Sequence, residues 1–433
     1  MASPGLSYDQ APLFGTPLRL FLAAPVFLVL AAVLAMASPE AWLTNRWTPQ
    51  ALALTHLLTL GYLGTVMTGA LLQMLPVVVG SPVPAAGPIG WLALFGLGAG
   101  TPLLAGGFLL GEPTLLTLAA VALSVGLVPF LAGTLVSLIR AHALPHVAWP
   151  LRQAWVALAI TLALGLALDF GLADLWDMPD PPGLTSLHAA WALGGWVLVL
   201  VIGVAYQVVP MLQLTPPYPK GVIAALTWSM PVALVAFTLA SSASHMPAQF
   251  AQGTEALALL AGMGSAGAFA LATLRLQGQR RRKLGDVTLD FWRLGMTSLI
   301  GVALLTPIAM LEANPWRDAM QVLAGLLFLL GFAASVVNGM LYKIVPFLGW
   351  FHLQAQTGAG AGKIPNMKQF ITENAARRHF HLHLAAVALL LPTPWTPPPL
   401  ALPGLALLAA SGLMLGMNLS KARKIFLAHE GRL

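Results

Sequence analysis

The 433-residue chain contains no cysteine, which excludes disulfides, thiolate metal sites and iron–sulfur clusters. Charge is scarce, at 8% of residues, and 58% of residues are hydrophobic. With a mean hydropathy of +0.82, this is far from the balance of a water-soluble domain. No stretch has the length and polarity of a soluble domain. The longest non-membrane segment is the loop 347–378, which contains Gly358-Ala359-Gly360-Ala361-Gly362-Lys363. That spacing is similar to a phosphate loop, but no Ser or Thr follows the lysine and no strand pattern precedes it, so it reads as a flexible linker. The N-terminus lacks a basic region and a cleavage site, so the first apolar stretch is expected to be retained.

Twelve apolar stretches are long enough to cross a bilayer as helices. They lie near 17–38, 50–79, 88–110, 114–139, 152–174, 184–214, 220–240, 251–276, 288–311, 319–346, 379–394 and 398–420. The eleventh is the weakest, because Pro392, Pro394 and three further prolines crowd its end. With both termini on one side, 19 of the 21 Lys and Arg fall on that side, and only Arg46 and Arg317 fall opposite. The positive-inside rule makes the basic side cytoplasmic. The expected location is therefore the cell inner membrane, multi-pass, with both termini cytoplasmic. The basic runs read as juxtamembrane anchors near anionic lipid, so the bilayer is the expected partner and nucleic acid is not.

One pattern is written three times: Gly, aromatic, six residues, Gly, three residues, Gln or Lys, two residues, Pro. It reads Gly61-Tyr62, Gly69, Gln73, Pro76; then Gly195-Trp196, Gly203, Gln207, Pro210; then Gly331-Phe332, Gly339, Lys343, Pro346. The offsets are 134 (203 − 69) and 136 (339 − 203). A fixed period of this length predicts triplication of a whole unit. Residues 1–433 then form a single membrane domain with internal repeats near 16–140, 150–277 and 286–424, each of four helices. The motif falls on the second, sixth and tenth. Its glycines read as close-packing positions and its prolines as helix-end positions. Gln73 and Gln207 are expected to satisfy carbonyls freed by the prolines, and Lys343 to snorkel to the cytoplasmic interface or to face an internal polar path.

Ten histidines divide between surface and interior. His142, His146, His352 and His429 read as surface residues, and His245 as part of a short outer loop. His56 and His188 are the informative pair: each lies one to two turns inside the outer end of its helix, among apolar neighbours, where an imidazole needs a partner. Imidazole is a ligand for haem iron and for copper. The two are 132 apart (188 − 56), not 134, and so are not strictly equivalent in the repeat. His379-Phe380-His381-Leu382-His383 reads as an interfacial helix start, with a metal or haem-propionate contact as the other reading. Asp169 and Glu255 read as bordering the outer interface.

Three four-helix units with cytoplasmic termini, and His56, Gly69-Ala70 and Pro76 on the second helix, resemble the catalytic subunit of the haem–copper oxidase and nitric oxide reductase superfamily. By that resemblance the fold is an all-α twelve-helix bundle, and His56 is an axial ligand of a low-spin haem. The superfamily's His-x-His on the tenth helix, its histidine in the middle of the sixth and its adjacent His-His pair have no counterpart here. Copper is accordingly not expected, and His188 and His245 are the only further candidate metal ligands. The chain is also similar, in size, class and histidine content, to the twelve-helix NnrS-type haem and copper proteins linked to nitric oxide tolerance. The resemblance implies respiration-related electron transfer or nitric oxide handling, with cytochrome subunits of a respiratory complex as partners and no complete oxygen-reducing centre. A cofactor-free permease or structural subunit of the same fold is the alternative. The period near 135 does not fit the paired six-helix repeats of common transporters.

Overall fold

A computed structural model describes residues 10–432 except 142–144, 243–246, 282–284, 312, 358–363 and 430. His245, His142 and the glycine-rich loop residues 358–363 lie outside the described residues. Among the described residues the chain is helical throughout, with no strand.

Helices fall on all twelve apolar stretches. We label them α1 (Gly15–Ala37), α2 (Pro49–Val79), α3 (Ala86–Leu110), α4 (Pro113–Ile139), α5 (Pro145–Leu172), α6 (Pro181–Gln213), α7 (Lys220–Ser241), α8 (Ala248–Gly278), α9 (Val287–Ala309), α10 (Arg317–Gln356), α11 (Glu373–Leu390) and α12 (Leu402–Ala428). Eleven are long and apolar enough to span a membrane, making this a multi-pass membrane protein. The exception, α11, starts earlier than the apolar stretch predicts. Thr372 caps it by accepting from the Ala375 N–H (3.4 Å). Glu373, Arg377 and Arg378 then occupy its first turns, and Pro392 and Pro394 follow its end.

The long helices begin where local chemistry directs. Thr48 precedes Pro49, and its hydroxyl accepts from the Ala51 N–H (3.2 Å) at the start of α2. Asp180 precedes Pro181 and accepts from the Gly183 N–H (3.1 Å) at the start of α6. In both, proline at the first helical position has no N–H to leave unpaired. Gly80, at φ +70°, ends α2 in the left-handed region that glycine enters without penalty.

The three motif-bearing helices share an irregularity absent from the sequence reading. Each turns through a π-helical segment: Leu57–Gly64 in α2, Ala190–Leu198 in α6 and Leu327–Ala334 in α10. The first glycine and the aromatic of each motif copy lie inside it. Widening a helix this way misaligns carbonyls. The Thr65 hydroxyl donates to the Leu60 carbonyl (3.4 Å) and the Ser335 hydroxyl to the Leu330 carbonyl (3.3 Å), both reaching five residues back.

The motif glycines are places of close helix approach. A Cβ on Gly61 would lie 2.5 Å from the Phe27 ring of α1, one on Gly195 2.7 Å from Ala157 of α5, and one on Gly331 2.5 Å from Ser298 of α9. In each copy the motif helix is pressed on the helix one before it. Lys343 is partly exposed, with a third of its side chain accessible. Its Nζ pairs with Asp286, the residue capping α9, at 2.7 Å. Gln73 is buried, and its Oε1 has no partner among the described residues.

α2, α6 and α10 converge on an apolar cavity of about 80 Å³. Val66, Leu200 and Val336 line it together, as do Ala70, Val204 and Met340. Both sets are spaced by 134 and 136 (200 − 66, 336 − 200; 204 − 70, 340 − 204), the motif offsets.

Candidate functional site: a two-histidine cavity

His56 and His188 come together. Their ring centres are 6.3 Å apart with the planes inclined at 21°. They line a cavity of about 160 Å³ enclosed by α2, α3, α4, α5 and α6. His56 is the last residue of α2 before its π segment, and His188 is the last but one of α6 before the π segment there.

The tautomer of each ring follows from its partner. His56 Nδ1 lies 2.8 Å from the Leu52 carbonyl and His188 Nδ1 lies 3.1 Å from the Thr161 carbonyl. A carbonyl only accepts, so each Nδ1 carries the proton and each Nε2 carries a lone pair. Neither Nε2 has a hydrogen-bond partner among the described residues. A fixed Nδ1–H with a free Nε2 is the arrangement of a metal-ligating histidine. Phe108 flanks His56 with ring centres 5.2 Å apart. Gly165 makes room for the other ring: a Cβ there would lie 3.0 Å from His188 Cε1.

Asp169 belongs to the same cavity and does not border the interface. It is 6% exposed, and its Oδ1 is buried without a partner. Sequence reading missed it because a lone acid near a helix end reads as interfacial. The available signal was its position, one helical turn beyond Gly165 on a face otherwise built from leucine. Among the described residues, no group of three or more His, Asp or Glu gathers closely enough to hold a bare metal ion.

A second cavity, of about 120 Å³, lies between α1, α2, α10, α11 and α12. Its lining matches the first at the repeat offsets. His56 corresponds to Leu326 (326 − 56 = 270 = 134 + 136), His188 to Leu54 (188 − 54 = 134) and Asp169 to Ala35 (169 − 35 = 134). Gly165 corresponds to Ala31 (165 − 31 = 134), a position that needs no space for an imidazole. The positions at these offsets carry two imidazoles and a carboxylate around one cavity, and leucine and alanine around the other.

His379 and His383 are not interfacial. They are one turn apart on the inner face of α11 and both are 0% exposed, whereas His381 faces outward. His379 Nε2 lies 2.9 Å from Ser411 Oγ of α12, and His383 Nε2 donates to the Leu330 carbonyl (3.2 Å), with Ser335 Oγ at 2.9 Å. The spacing of four was legible in the sequence but masked by the more conspicuous alternation by two. His352 is also buried, at 7% exposed, stacked on Phe14. His429 is exposed, as expected.

No protein-family model and no curated protein sequence matches the chain.

Proposed function

We propose that this is a haem-binding electron-transfer protein of the membrane, built as twelve transmembrane helices in three four-helix units. On this reading both termini are cytoplasmic, and a haem is held between His56 and His188. The observation that carries it is the pair of imidazoles, each anchored through Nδ1 and each with a free Nε2, facing one apolar cavity. His56 and His188, with ring centres 6.3 Å apart, would hold the group between them. The leucine-lined counterpart cavity argues in the same direction, because the fold forms the cavity without the histidines. The matched offsets of both cavities and the common packing of the motif glycines support the three-unit arrangement.

When bound, such a haem supplies one-electron transfer. The chain's own residues do the rest. Leu52 and Thr161 carbonyls hold the imidazole tautomers, and the leucine walls keep water from the site. Asp169 places a carboxylate in the same apolar space. With both imidazoles engaged in holding the group, the site would favour electron transfer over nitric oxide chemistry. A respiratory partner with its own redox group is the matching assembly.

The test is a reduced-minus-oxidised optical spectrum of protein purified after haem-replete expression. A haem signal is expected in the parent chain, with strong loss in His56→Ala and His188→Ala. A parent chain with no haem absorbance overturns the reading and leaves the cofactor-free permease or structural subunit in its place.

A further inference from the structure

The leucine-lined counterpart cavity carries its own chemistry. Arg46 lies at its mouth, in the turn between the short helix Pro39–Thr44 and α2, and is one of its lining residues. Its guanidinium rests over the Trp47 ring at 4.3 Å and reaches Ser186 Oγ at 3.5 Å, while its Nε is buried without a partner. Burial first, and then the charge of nearby Arg317, push the Arg46 guanidinium below its ordinary value, with Asp318 acting in the opposite direction. Among the described residues neither arginine has a carboxylate within 4 Å.

This placement runs against two costs. Like charges at short range repel, and in the twelve-span arrangement these are the only two basic residues on their side of the membrane. Arg46 lines the entrance of a cavity whose depth is hydrocarbon, formed by Leu54, Leu326, Leu329 and Leu405, and Arg317 stands one helical turn before Gln321, which also lines it. Paired cations over an apolar slot complement one chemistry, an anion carried on an acyl chain.

We propose that the cavity between α1, α2, α10, α11 and α12 binds an anionic single-chain amphiphile, its chain among the leucines and its head group between Arg46 and Arg317. This assignment does not depend on haem in the other cavity. The head group is a carboxylate or a phosphate, from a free fatty acid or a lysophospholipid.

The experiment is equilibrium binding of radiolabelled probes to the purified full-length protein in neutral detergent. The probes are palmitate, lysophosphatidylglycerol and uncharged monoolein, with inorganic phosphate as competitor. We expect at least one anionic probe to bind about tenfold more tightly than monoolein, a difference of about 1.4 kcal/mol. Whichever of the two anionic probes binds more tightly identifies the source. Arg46→Gln and the double substitution Arg46→Gln with Arg317→Gln are expected to abolish the preference, and Arg46→Lys to restore part of it. Arg46 lies in a turn and Arg317 is the exposed first residue of α10, and helix content by circular dichroism checks that the variants fold. Equal binding of monoolein, displacement by phosphate alone, or a preference that survives the double substitution would overturn the proposal.

Discussion

A histidine in an apolar layer costs free energy unless its nitrogens are used. His56 and His188 each use one nitrogen on a carbonyl and leave the other open to a shared space. Their spacing of 132 looked like a defect in the repeat, and the structure gives the reason. The two are not copies of one position. One projects from α2 and the other from α6 into a cavity bounded by both. Asp169 extends the argument to charge. A carboxylate in the same cavity stabilises the oxidised, more positive state of a bound redox centre. Asp169→Asn is therefore expected to raise the midpoint potential in a spectroelectrochemical titration while leaving haem content unchanged. An unchanged potential would show that the carboxyl is neutral at working pH.

At the scale of the element, the motif helices show what a sequence pattern conveys and what it hides. The glycine spacing identified the faces on which α2, α6 and α10 are pressed against α1, α5 and α9. Pro76 and Pro210 lie three residues before the ends of α2 and α6, whereas α10 runs ten residues past Pro346 to Gln356. The π segments had no signal, because widening a helix by one residue per turn leaves hydropathy unchanged. It shows only through partners such as Thr65 and Ser335, whose hydroxyls take up the displaced carbonyls. The ion pair of Lys343 had no signal for a related reason: its partner, Asp286, is 57 residues away and outside any window of periodicity. The glycines allow a direct comparison. Gly331→Ala places a methyl 2.5 Å from Ser298 Oγ, an overpacking that costs about 1–3 kcal/mol. Gly98 of α3 has nothing within 4 Å of an added Cβ, so Gly98→Ala gains up to about 1 kcal/mol of helix propensity. Thermal unfolding followed by circular dichroism is expected to show a lower midpoint for the first and an equal or higher one for the second.

For the whole molecule, the number of times the chain crosses the bilayer rests on α11. Its inner face carries His379 and His383, each hydrogen-bonded to α10 or α12. Its charged turns are engaged too, with Arg377 paired to Asp290 of α9 at 3.0 Å and to Glu373 at 2.9 Å. These partners satisfy groups that hydrocarbon would otherwise penalise. That is why a helix too polar by composition can still cross: the polarity is spent on neighbours, and composition alone does not report it. The alternative is a helix that enters and leaves on one side, which would put the C-terminus opposite the N-terminus. The absence of cysteine from the chain makes the distinction accessible to single introduced cysteines and a membrane-impermeant maleimide. With twelve crossings, Glu112→Cys, between α3 and α4, and Leu400→Cys, between α11 and α12, are expected to label in intact spheroplasts. Gln279→Cys, after α8, and His429→Cys, after α12, are expected to label only once the membrane is permeabilised. Labelling of His429→Cys in intact spheroplasts, alongside Glu112→Cys, would remove α11 from the count and with it the four-helix third unit.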